Sequence, residues 1–124
     1  MNDILVISLG AVVGANARWL IATYLSRTLG PVFPYGTLLI NLLGSFVAGF
    51  FMLWTTERVL IDARWRLLVV VGFCGSFTTF SSFAFETMAY LKQGQWWLLA
   101  ANFLANNLLC PGAALVGMAC GRAL

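Results

Sequence analysis

The chain has 124 residues, 61% of them hydrophobic and 9% charged, with a net charge of +3. A soluble domain of this size has too little interior to hide that much apolar surface, so a membrane protein is expected, and its seven basic residues are too scattered to form a nucleic-acid surface. There is no histidine, which removes the usual general base, proton shuttle and transition-metal ligand; Cys74, Cys110 and Cys120 lie in apolar segments without ligand spacing and read as free thiols.

A membrane-crossing helix needs about 20 mostly apolar residues. Four segments qualify, 4–25, 36–54, 67–91 and 96–119, which predicts an all-α membrane protein with one four-helix domain over residues 1–124. The first segment has no basic run before it and no clear cleavage site, so it is expected to stay as a helix and not to be a signal peptide. Arg18 lies about two-thirds along it. There it either snorkels to the interface or sets a positive charge at a vestibule that gathers anions. Gly30-Pro31 and Pro34 mark the first connection. The second segment carries Thr37 and Asn41. An asparagine among leucines and isoleucines either bonds a neighbouring helix or offers two uncharged N–H donors, which suits a small hard anion. The connection over 57–66 holds most of the loop charge.

The third segment is the most informative. From Gly72 to Glu86 it contains two glycines, five hydroxyl residues, four phenylalanines after the second glycine, and a carboxylate. A spanning helix normally satisfies its own backbone and avoids ionisable groups. Gly75-Ser76 followed by Thr78-Thr79 is expected to break the helix at membrane depth, where exposed carbonyls and amides persist only against protein or a polar cavity. Thr79, Ser82 and Glu86 share one face at spacings of three and four, Phe83 borders it, and Thr37 on the second segment is placed to face the same track. Either the hydroxyls back-bond to their own helix, or the face lines an ion path. A bare carboxylate there would repel an anion, so Glu86 is neutral, well bonded, or near a cation. Phe80 and Phe83 point to nearby sides of the helix, where they either pack or turn their positive ring edges to an anion. Phe77 and Phe85 read as packing or lipid-facing.

After the turn at 92–95, the fourth segment carries Asn106, Asn107 and a Pro111-Gly112 pair expected to kink it. Small-residue pairs four apart, Gly10-Gly14, Gly44-Ala48, Ser45-Gly49 and Gly117-Gly121, let helices approach closely, within the chain or between copies. Four short helices enclose little, so an oligomer is expected. The termini and middle connection share Arg58, Arg64, Arg66 and Arg122, against Arg27 and Lys92 at the other end. This bias is weak enough for insertion in both orientations.

Three stretches resemble the Fluc (CrcB) family of fluoride channels. Gly14-Ala15-Asn16-Ala17-Arg18-Trp19 is similar to the family's first helix. The run from Gly36 to Gly44 resembles its Gly-Thr-Leu-x-x-Asn-Leu-x-Gly signature, and that from Gly75 to Glu86 resembles its broken third helix. The resemblance implies a passive fluoride channel of the bacterial inner membrane, built as an antiparallel dual-topology homodimer. It implies that Asn41, Phe80 and Phe83 line the fluoride path, the phenylalanines as an aromatic box, with Thr37, Thr79, Ser82 and Glu86 along a polar track and Arg18 at the vestibule. It further implies one structural sodium ion on the dimer axis, held by the backbone carbonyls of Gly75 and Thr78 from both copies. Ser76 stands where the family usually has a second glycine. The fourth segment departs most. Phe103 falls where an aromatic often sits and Asn107 takes one polar position, while Pro111 and Leu115 stand where Ser and Thr are expected, so either the track there is rebuilt with Asn106 or Asn107 or conduction is altered.

The competing reading is a small proton-coupled multidrug exporter, also a four-helix dual-topology dimer. It needs a membrane carboxylate, expected in the first helix. That segment offers Arg18 and no acid, which leaves Glu86 alone. A non-transporting assembly subunit leaves the broken segment unexplained. An enzyme is not expected, because no nucleophile and base form a set.

Overall fold

A computed structural model describes residues 2–124. The described residues form four helical passages and no strand: α1 (Asp3–Leu29), α2 (Tyr35–Glu57), a third passage divided into α3 (63–77) and α4 (Phe80–Lys92), and α5 (Trp96–Ala123). All four are long and apolar enough to cross a membrane. Each begins or ends a few residues outside the sequence-based bounds, because caps and polar first or last turns carry the helices beyond their apolar runs. Asn2 caps α1 by accepting from the Ile4 amide at 3.0 Å, and Asp62 caps α3 by accepting from Arg64 at 2.9 Å.

The passages pack in two pairs, α1 along α3 and α2 along α5. The small-residue pairs are spent inside the chain. A Cβ on Gly14 would run into the Phe73 carbonyl and Ser76 Oγ, and one on Gly117 would run into the Phe46 carbonyl. Close backbone approach here builds the single chain, so these stripes are not evidence for a second copy. The Ser76 hydroxyl lies in the same seam, within hydrogen-bond distance of the carbonyls of Ala11 at 3.0 Å and Gly72 at 2.8 Å.

One end of the bundle is tied by charge. Arg66 donates to Thr55 Oγ1 and to the Thr55 carbonyl, satisfying the C-terminal turn of α2, and Arg122 pairs with Glu57 at 3.3 Å. At the other end Tyr90 donates to the Val32 carbonyl at 2.6 Å, and Gly94 takes φ +68° in the turn to α5.

Two passages are irregular. Residues 67–74 of α3 and 105–109 of α5 are wound as π-helix. The second stretch lies just ahead of Pro111, which lacks an amide hydrogen for the i−4 carbonyl. The expected disturbance at Pro111-Gly112 is thus taken up one turn earlier. The sharp break is in the third passage. Gly75 remains helical at φ −63°, ψ −34°, and the chain turns extended at Thr78 (φ −75°, ψ 155°) and Thr79 (φ −147°, ψ 106°).

Candidate ion pathway at the chain break

The break is held by side chains that take over backbone hydrogen bonds. In a continuous helix the Thr79 amide would donate to Gly75 C=O. Here it donates to Asn41 Oδ1 at 2.8 Å. The Ser82 amide would likewise close onto Thr78 C=O; it donates instead to Thr79 Oγ1 at 3.1 Å, which makes Thr79 the N-cap of α4. Both carbonyls therefore lose their helical partners. Gly75 is exposed on the single chain and Thr78 half-buried. Hard carbonyl oxygens relieved of amides are the donor type a hard monovalent cation takes, and the described residues contain no cluster of His, Cys, Asp or Glu that competes for one. The residues present fit such an ion.

Asn41 also donates through Nδ2 to the Thr79 carbonyl at 3.3 Å and to Asn106 Oδ1 at 3.2 Å. These lie at or just past the upper end of the usual N–H···O range, so the bond accepted by Oδ1 is the shorter and stronger one. A cavity of about 230 Å³ opens against this group. Asn41, Ser45, Thr78, Thr79, Phe80, Phe83, Asn106, Asn107 and Cys110 line it. Phe83 is 6% exposed and Phe80 is 77% exposed, with ring centroids 5.5 Å apart and planes at 56°. Phe80 thus presents an uncovered ring on the outer face. Phe83 is braced from behind by Phe103 at 6.3 Å.

Further along the same side, Thr37 donates to Glu86 Oε2 at 3.1 Å, and Thr79 Oγ1 donates to Ser82 Oγ at 3.0 Å. Glu86 Oε1 is buried and has no hydrogen-bond partner among the described residues. Thr37 and Glu86 border two more cavities, of about 270 Å³ beside the 30–36 connection and about 380 Å³ beside Ser81, Ser82 and Phe85. The polar residues singled out in the sequence therefore fall into two adjoining groups: Asn41, Thr78, Thr79, Phe80, Phe83 and Asn107 around one cavity, and Thr37, Ser82 and Glu86 around the others. Arg18 is half-buried on α1 and borders none of these three. Phe85 is 77% exposed and borders only the cavity beside Glu86 and Ser81 among them.

The polar partner from α5 is Asn106; Asn107 lines the cavity wall but gives its amide to the Phe103 carbonyl at 2.8 Å. Sequence reasoning missed Asn102, which is wholly buried, and Thr87, which is 4% exposed; the two are bonded at 3.0 Å. The i,i+4 spacing of Asn102 and Asn106 was the available signal, since it puts both amides on one face of a membrane helix, where each needs a partner.

Residues 5–118 match the family described as CrcB-like protein, Camphor Resistance (CrcB). A protein named fluoride-specific ion channel FluC from Koribacter versatilis is 53% identical over 93% of this chain and 91% of its own length. Proteins of the same name from Magnetococcus marinus and from a Sulfurihydrogenibium species are 41% and 40% identical, the first over 94% of both chains and the second over the whole of both. With a family match across nearly the whole chain and relatives of this identity over 91% or more of their own length, the protein is a multi-pass membrane member of the CrcB family.

Proposed function

We propose that this protein is a fluoride-selective channel that lets fluoride leave the bacterial cytoplasm down its electrochemical gradient, across the inner membrane. The observation that carries the reading is the 53% identity to a fluoride-specific ion channel across nearly the full chain. The physical features of the broken third passage agree with it. Fluoride is small and hard, and it leaves water only where donors replace its hydration. Asn41 offers N–H groups, and Phe80 offers a ring with positive edges on an open face. Chloride, larger and softer, gains less from such donors in a narrow path.

In this reading the fluoride path runs past Asn41, Phe80, Phe83 and Asn107 and along Thr79, Ser82, Thr37 and Glu86, with Arg18 at a vestibule. Two copies assemble as an antiparallel, dual-topology homodimer. The exposed Phe80 and Gly75 supply the face for the second copy. A structural sodium ion sits between the copies on the carbonyls of Gly75 and Thr78, and its support is the loss of both helical amide partners at those carbonyls. The ion would supply fixed positive charge at the dimer centre; the chain's own residues do the conducting. This is transport without a chemical step, so no catalytic residue is assigned.

The test is ion efflux from liposomes holding the purified protein. Fluoride should leave and chloride should stay, and an imposed pH gradient should not drive the flux. Flux that follows the proton gradient would instead favour a proton-coupled exporter.

A further inference from the structure

The Asn41 amide is held by a chain of hydrogen bonds that all run in one sense. The Thr79 N–H donates to Asn41 Oδ1, and Asn41 Nδ2 donates to Asn106 Oδ1. Asn106 Nδ2 donates to Asn102 Oδ1 at 3.0 Å, and Asn102 Nδ2 donates to Thr87 Oγ1 at 3.0 Å. The Thr87 hydroxyl ends the chain on the Phe83 carbonyl at 2.7 Å. The first group is a backbone amide that can only donate, and the last is a carbonyl that can only accept. Each amide between them is forced into one of its two orientations. Both ends belong to the first turns of α4, so the chain closes a loop around the break.

We propose that Asn102 and Thr87 are positioning residues that lock the orientation of the Asn41 amide at the ion pathway. Neither lines the cavity at Asn41. Their effect is on what that cavity presents. With Oδ1 fixed on Thr79, the side of Asn41 left for an anion is Nδ2, whose N–H groups rest on the Thr79 carbonyl and on Asn106 Oδ1 and are the donors an anion in the cavity would compete for. A flipped Asn41 would put a carbonyl oxygen there and leave the Thr79 amide buried without an acceptor, since Thr79 is 6% exposed. The Thr79 main chain opposes the flip from one side through its N–H and its carbonyl; Asn106 adds to this from the other side only while it is itself held, because a flipped Asn106 would accommodate a flipped Asn41. The flip of Asn106 is opposed because its Nδ2 also donates to the Asn102 main-chain carbonyl at 3.0 Å, and Asn102 in turn is held by Thr87. Buried amides coupled in this way strengthen one another. The inference rests on the reading of Asn41 as part of the fluoride path, but the lock itself has a readout that does not depend on conduction.

The experiment compares wild type with Thr87→Val, which keeps the side-chain shape and removes the hydroxyl. Amide hydrogen exchange is followed by NMR on uniformly nitrogen-15-labelled protein in micelles, and fluoride efflux is followed in liposomes. Loss of one buried partner should speed exchange at Thr79 roughly tenfold while that of Ala89, deeper in α4, stays unchanged, and fluoride efflux should fall by about the same factor. Thr87→Ser, which keeps the hydroxyl, should restore both. Unchanged Thr79 exchange in Thr87→Val would overturn the proposal, as would equal acceleration at Thr79 and Ala89, which would mean that Thr87 only packs α4 against α5. If Thr87→Val does not fold, Thr87→Ala is read by the same two amides. Wild-type protein that carries no fluoride would defeat the channel reading alone, and the Thr79 to Ala89 comparison would still decide the lock.

Discussion

Replacing Asn41 by leucine should collapse the break and fluoride flux together. Leucine is close to asparagine in size but neither accepts from Thr79 nor donates to Asn106. Thr79 is 6% exposed and Asn106 is 7% exposed, so water replaces either partner poorly. A buried amide left without its 2.8 Å acceptor costs about 1–3 kcal/mol. The two bonds from Nδ2, at 3.2 and 3.3 Å, are long and add less. The Thr79 amide has one ready alternative, the Gly75 carbonyl, and taking it would rewind the helix through the break and occupy an oxygen proposed to hold the cation. A shift of 1–3 kcal/mol toward the rewound form corresponds to a roughly 5- to 150-fold loss of the open-path conformation, and fluoride efflux from liposomes should fall within that range. Asn41→Asp separates the two roles of the side chain: it keeps an acceptor for Thr79 but brings a negative charge and no donors, so the break should persist while flux is lost. Fluoride efflux in Asn41→Leu equal to wild type would refute the reasoning.

Phe80→Ile and Phe83→Ile should each reduce fluoride flux in the same assay, because an aliphatic side chain has no positive ring edge, whereas Phe85→Ile should do much less; sensitivity at Phe85 would show that the wrong face of α4 had been assigned. Gly117→Ala should impair folding or assembly by thermal melt in detergent, because its Cβ meets the Phe46 carbonyl, while Gly112→Ala, with nothing within 4 Å, should be neutral. In a background lacking the three native cysteines, a cysteine placed near Lys92 should be labelled from both sides of the membrane; labelling from one side only would rule out the proposed dual insertion.

Much of the bundle was legible because apolar length alone marks a spanning helix, and the connections carry their own glycines, prolines and charges. The broken third passage was legible too, since a run of hydroxyls, glycines and a carboxylate has no reason to lie in an unbroken membrane helix. The position of the break was less so. The stretch Gly75-Ser76 followed by Thr78-Thr79 contains it, but within that stretch Gly75 and Ser76 stay helical and the chain turns extended at Thr78 and Thr79, because a rival acceptor on another helix decides where the ladder stops, and that acceptor, Asn41, lies 38 residues from Thr79 in sequence. The small-residue stripes left it open whether they join helices or copies, and only the packing of Gly14 on Phe73 and Gly117 on Phe46 assigns them to the chain. Asn102 and Thr87 escaped notice for a related reason. Each is ordinary in its own helix and gains meaning only when α4 and α5 are laid side by side.

The central claim is selective, passive conduction of fluoride, and the most direct test is the reversal potential in a planar bilayer with fluoride and chloride gradients imposed separately and pH held equal. The account predicts a current that reverses at the fluoride equilibrium potential and does not shift when chloride is changed. A reversal potential that follows chloride, or a current that appears only when a proton gradient is applied, would contradict it.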